Sequence, residues 1–120
     1  MKASIYRLKF ALQGWVSFFQ REANGQIQLF IAVMVIVAGF VLRVSITEWM
    51  ILLSCIGVVI TLEMINTAIE KICDHVNPQI HPTIKVIKDI AAGAVLWSAV
   101  IASIIGLIIF IPRFILLLSH

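Results

Sequence analysis

From Ile90 to Ile111 the chain runs without a single charged residue. A bilayer-spanning helix needs roughly 20 consecutive apolar residues, so this run is long enough to cross a membrane. Two further apolar runs precede it, Ile27 to Leu42, broken only by Gln28, and Trp49 to Leu62. The overall composition agrees. Hydrophobic residues make up 62% and charged residues 12% of the chain, against about 25% charged in soluble domains. A chain of 120 residues is expected to form one domain, 1–120, and an all-α membrane protein is the predicted class.

Residues 1 to about 24 are mixed. Ile5, Leu8, Ala11, Leu12, Trp15, Phe18 and Phe19 recur at helical spacing, with Lys2, Arg7, Lys9, Gln13 and Gln20 mostly between them. This predicts an amphipathic surface helix over about 2–22, its basic residues near anionic headgroups. Gly14 weakens that helix, and Ala23-Asn24-Gly25 is the expected break after it. No secretory signal is expected in a start interrupted by Lys2, Arg7 and Lys9.

The first span is predicted over about 26–44. Ser45 or Thr47 then caps the next helix, Glu48 falls in its first turn and Trp49 suits an interfacial belt. The second span, about 48–74, meets no proline or glycine pair until Asn77-Pro78. At about 1.5 Å per residue it is on the order of 40 Å long, so its last turns leave a hydrocarbon core about 30 Å thick. Thr83 is the expected cap of the third span, about 84–111, which Pro112-Arg113 closes. Small residues at Ala99, Ala102, Ser103 and Gly106 let helices approach closely in lipid. Trp97, Cys55 and Cys73 are read as packing residues.

Charge placement orients the chain. Lys2, Arg7, Lys9, Arg21, Lys71, Lys85 and Lys88 lie on one side of the predicted spans, and only Arg43 and Arg113 on the other. The positive-inside rule puts the N-terminus and the second loop in the cytoplasm and the C-terminus outside. Every carboxylate except Glu48 then falls on the cytoplasmic half. The net charge of +3 reports this topology, and no nucleic-acid partner is expected.

One helical face carries an unusual load. Glu63, Asn66, Glu70 and Asp74 follow one another at intervals of three, four and four, which at about 3.6 residues per turn puts them on one stripe. Carboxylates near lipid are costly, and hard divalent cations take oxygen ligands. Glu22, His81, Lys88 and Asp89 join them on the cytoplasmic side. Carboxylates for a metal, a lysine for a phosphate and an apolar plane beside them suit a kinase acting on a lipid alcohol. The phosphate-binding run G-x-x-x-x-G-K-[ST] is absent, and the six glycines form no glycine-rich loop.

The block Glu63-Met64-Ile65-Asn66-Thr67-Ala68-Ile69-Glu70, with Asp74, His81 and Lys88-Asp89-Ile90-Ala91-Ala92-Gly93-Ala94-Val95, strongly resembles the signature of the small bacterial diacylglycerol kinase family, which includes the undecaprenol kinases. The resemblance covers nearly the whole chain. It implies a homotrimer of three-span subunits with active sites shared between neighbours, and direct, Mg²⁺-dependent transfer of the ATP γ-phosphate to a lipid hydroxyl at the bacterial cytoplasmic membrane. It further implies Glu63 as general base and Glu22 and Glu70 as metal-binding carboxylates. Asn66, Lys88 and Asp89 match nucleotide-site positions, Gln79-Ile80-His81 a stretch reaching the nucleotide, and Asp74 a further polar position. Gly25-Gln26 departs from the aromatic-Arg pair frequent in the family. The lipid stays open between diacylglycerol and undecaprenol, with the A-A-G-A-V run closer to the undecaprenol branch.

Other readings compete for each residue. Glu63 also suits an interfacial glutamate paired with a lysine, Asn66 an interhelical hydrogen bond, and Lys88 a simple cytoplasmic helix start. A small oligomeric cation carrier or channel is the alternative function, with the acidic stripe as its ion path. Against it, nothing polar continues through Trp49 to Thr61 as a pathway.

Overall fold

A computed structural model of the chain describes residues 1–76, 79 and 81–119. Its described residues contain four helices and no strand: α1 (Lys2–Arg21), α2 (Ala23–Val41), α3 (Ile46–Val76) and α4 (Pro82–Leu118). The last three are long and apolar enough to cross a membrane. α3 packs against both α2 and α4, and α1 folds back on α2. Asn77 and Pro78, the expected stop of the second span, lie outside the described residues, as do Ile80 and His120.

The α1–α2 corner differs from the expected break at Ala23-Asn24-Gly25. It is a single extended residue, Glu22 (φ −102°, ψ 129°), and Ala23 already belongs to the next helix. The reason is close approach. A Cβ on Gly25 would lie 2.1 Å from the Phe18 carbonyl oxygen. Glycine thus serves the corner by letting α2 touch the backbone of α1, and the chain needs no longer loop. Gln26 closes the corner by donating from Nε2 to the Gln20 carbonyl at 2.8 Å. Gly14 leaves α1 unbroken.

The α2–α3 corner is equally tight. The Val44 amide bonds the Gly39 carbonyl at 3.2 Å and the Arg43 amide that of Phe40 at 3.3 Å, the paired bonds of a Schellman ending. Arg43 holds the left-handed position (φ 55°) that usually falls to glycine, at a cost of about 1–2 kcal/mol. Of the two cap candidates, Ser45 takes the role. Its Oγ accepts from the Glu48 amide at 3.1 Å, and Glu48 Oε1 accepts from the Ser45 amide at 2.8 Å, a reciprocal capping box.

Pro112-Arg113 does not end α4, which runs on to Leu118. Pro112 lacks the N–H of one helical bond, but Arg113 fastens the helix at the next residue. Its Nη1 donates to the Arg43 carbonyl at 2.9 Å and its Nη2 pairs with the Glu48 carboxylate. At the start of α4 the cap is His81, not Thr83. The His81 Nδ1 accepts from the Thr83 amide at 3.2 Å, with Pro82 following the cap. Proline suits the first helical position, where no N–H is required, and this sets the cap one residue before it.

The core sits at the Arg43 end, where Val44, Leu52 and Ile109 are buried against Val35, Trp49, Ile105 and Phe110. The Trp49 ring lies over Gly39, where a Cβ would come within 2.5 Å of it, and 4.9 Å from the Phe40 ring centre. Beside this core, and lined in part by its Val35, Leu52 and Phe110, lies a cavity of about 420 Å³ whose α4 wall includes the small residues Ala99, Ala102, Ser103 and Gly106. Most large apolar side chains of α2 and α4 are exposed in a single chain; Trp97, read as a packing residue, is 72% exposed. Whatever covers them comes from outside this chain, as lipid or as further copies.

Gly25→Ala is expected to lower the unfolding temperature of the protein in detergent micelles, by a strain of about 1–3 kcal/mol at the α1–α2 corner. Gly14→Ala, where a Cβ meets nothing within 4 Å, is expected to leave it unchanged or higher.

Candidate active site

α3 supplies the centre of the site. Beyond the apolar turns at Val59 and Ile60, which line the cavity, the same helix buries Glu63 (9% exposed), Asn66 (5%) and Thr67 (8%). Three of their polar atoms, Glu63 Oε2, Asn66 Oδ1 and Thr67 Oγ1, have no hydrogen-bond partner. A buried polar atom without a partner costs about 1–3 kcal/mol. Three on one and a half turns form the least satisfied spot among the described residues. Thr67 stands within the block Glu63–Glu70 without a role of its own in the sequence. Its one available signal is its place one turn beyond Glu63.

Outside this buried group the polar residues satisfy one another. Asn66 donates from Nδ2 to Glu70 Oε1 at 3.2 Å, which joins two members of the expected stripe. Asp74 is exposed and paired with Lys88 at 2.8 Å, so the stripe does not continue as a row of unpaired carboxylates. Glu22, at the α1–α2 corner, meets Lys71 at 2.8 Å. Lys71 directly follows Glu70, so the corner is drawn to the turn of α3 that carries Glu70. Asp89 pairs within α4 with Lys85 at 2.6 Å. These pairs are largely exposed, where such contacts contribute about 0–1 kcal/mol each. They leave the residues open to rearrangement around a charged ligand.

The structure thus groups Glu63, Asn66 and Glu70 on α3 and sets Lys88 of α4 against Asp74, while Glu22 is tied to α3 only by its pair with Lys71, the residue after Glu70. Asp89 faces its own helix partner. His81 is an exposed helix cap, Gln79 lies in an exposed bend, and Ile80 falls outside the described residues. No three His, Cys, Asp or Glu among the described residues gather as a ready metal cage. Cys55 and Cys73 are free thiols.

Charge is segregated by end. Arg113 touches the Arg43 carbonyl, so these two cations share the end with the core. Lys71 and Lys88 belong to the opposite end with Glu22 and Asp74. Between them lies the cavity, lined mostly by apolar side chains such as Leu52, Ile56, Val59 and Ile60, with Gln28, Cys55 and Ser103 as its few polar groups.

A family model described as prokaryotic diacylglycerol kinase matches residues 9–110. The chain is 47% identical over 92 residues to an undecaprenol kinase of Bacillus subtilis, covering 77% of this chain and 75% of that protein. It is 34% identical over 105 residues to a diacylglycerol kinase of Synechocystis sp., covering 87% of this chain and 60% of that protein. The matches include the whole of α3 and give no support to an ion carrier.

Proposed function

The chain belongs to the prokaryotic diacylglycerol kinase family, and on that premise we propose that it is an integral membrane lipid kinase whose Glu63 is the general base on the lipid hydroxyl. ATP is the phosphoryl donor and a membrane lipid alcohol the acceptor. The observation that carries the base assignment is the buried, unpaired Glu63 Oε2 one turn from the apolar cavity. An acceptor bound with its chain along the cavity brings its terminal hydroxyl to that carboxylate. In-line transfer forms a bond from the lipid oxygen to the γ-phosphorus and breaks the bond to the ADP oxygen, while the hydroxyl proton passes to Glu63.

Glu70 and Glu22 supply the hard oxygens that Mg²⁺ prefers, and one or two carboxylates suffice when phosphates complete the shell. Held there with ATP, such a metal would supply charge neutralisation on the triphosphate. Asn66 orients Glu70 through its 3.2 Å hydrogen bond. Lys88 exchanges its exposed partner Asp74 for a phosphate oxygen, and Asp89, Gln79 and His81 belong to the same nucleotide end. The exposed large apolar side chains of α2 and α4 fit a homotrimer in which neighbours complete the nucleotide wall.

α1 lies on the cytoplasmic surface as an amphipathic helix. The end carrying Lys71 and Lys88 faces the cytoplasm, since seven of nine Lys and Arg fall on that side. Of the two lipids, undecaprenol is the favoured acceptor, because the identity to the Bacillus undecaprenol kinase, 47%, exceeds the 34% to the Synechocystis diacylglycerol kinase.

Glu63→Gln is expected to lower lipid phosphorylation by labelled ATP about 100- to 10,000-fold while assembly persists. Wild-type turnover would remove Glu63 from the base role. Glu70→Ala is expected to raise the Mg²⁺ concentration for half-maximal activity by at least about tenfold; an unchanged metal titration would exclude it as a ligand. In a side-by-side assay, kcat/KM is expected to be higher for undecaprenol than for diacylglycerol.

A further inference from the structure

We infer that the Thr67 hydroxyl is a second contact for the acceptor alcohol, donating to the same lipid oxygen whose proton passes to Glu63. Helical hydroxyls in this protein have an easy alternative: Ser54 donates to the Met50 carbonyl at 2.8 Å and Ser98 to that of Val95 at 2.8 Å. Thr67 makes no such bond, although it is 8% exposed and its Oγ1 is sealed from solvent. It stands four residues from Glu63, so the two side chains are neighbours about 5–6 Å apart at Cβ. Both have an unpaired buried oxygen, and the two are not bonded to each other.

An alcohol oxygen inserted between them satisfies both. Its proton is donated to Glu63 Oε2, one lone pair accepts from Thr67 Oγ–H, and the other lone pair is left to attack phosphorus. Thr67 thereby fixes which lone pair attacks. The atom count of the transfer is unchanged: the oxygen–phosphorus bond forms, the bond to the ADP oxygen breaks, and the proton rests on Glu63. A hydroxyl on the protein is suited to this place because it donates while staying uncharged, and as a far weaker base than a carboxylate it leaves the proton to Glu63. A carboxylate or lysine there would alter the charge around the base. The inference rests on the reading of Glu63 as base and assigns a residue outside that reading.

The test uses the full chain in micelles with undecaprenol and with diacylglycerol. Thr67→Val keeps the shape and removes the hydroxyl. It is expected to lower kcat/KM for the lipid alcohol at least about tenfold, with KM for ATP unchanged and the oligomer intact by size-exclusion chromatography. Thr67→Ser, which restores the donor, is expected to recover most of the loss. Wild-type kcat/KM in Thr67→Val overturns the assignment. So does an effect confined to KM for ATP, a Thr67→Ser variant as impaired as Thr67→Val, or dissociation of the oligomer, which would assign the hydroxyl to a contact between copies. Glu63→Gln measured alongside separates the two readings. An inactive Glu63→Gln beside an unimpaired Thr67→Val removes only Thr67, whereas a fully active Glu63→Gln removes the base on which the inference stands.

Discussion

Lipid offers no hydrogen bonds, so every polar group this chain carries into the membrane must find a partner within protein or be borne as a cost. For the backbone the answer is helix: three of the four helices are long and apolar enough to span. For side chains it is to gather polar groups at the helix ends. The corner between α2 and α3 shows this clearly. Arg113 bonds both the Arg43 carbonyl and the Glu48 carboxylate, and Glu48 also caps α3 through Ser45. One cation thus satisfies a left-handed turn and secures a proline-containing helix at the same place.

The opposite end follows a different rule. There the ion pairs Glu22–Lys71, Asp74–Lys88 and Lys85–Asp89 are mostly open to water, while the groups that are buried, Glu63, Asn66 and Thr67, keep unpaired atoms. An arrangement selected for stability alone would reverse this, burying the paired groups and exposing the unpaired ones. Exposed pairs are exchanged at little cost, whereas buried unpaired atoms gain strongly from a ligand that fits them. A kinase requires both properties within a few turns. It must release cations to a triphosphate and return them, and it must hold one hydroxyl in a fixed orientation.

How far the sequence reveals this depends on the range of the interaction. The spans and the stripe from Glu63 to Glu70 are legible because they rest on periodicity within one helix. The corners are not, because they turn on contacts between segments. Ala23-Asn24-Gly25 carries the composition of a loop, yet Gly25 is required by the Phe18 carbonyl it touches, and Glu22 alone makes the turn. Thr83 has the chemistry of a cap, but Pro82 moves that role to His81. Pro112 has the chemistry of a stop, and Arg113 overrides it through partners far away in sequence. Thr67 is not legible either, because what marks it is a bond its buried hydroxyl does not make.

The departure at Gly25-Gln26 gains a physical meaning from the same corner. At residue 25 even a methyl group would overlap the Phe18 backbone, so an aromatic side chain there is incompatible with the approach of α2 to α1 in this chain. The glycine closes the corner, and Gln26, uncharged, finds its partner in the Gln20 carbonyl it now reaches. Closing the corner also carries Glu22 to Lys71 and so to the turn that holds Glu70. In this chain, then, a close backbone approach at Gly25 and an ion pair with Lys71 hold the first glutamate against α3.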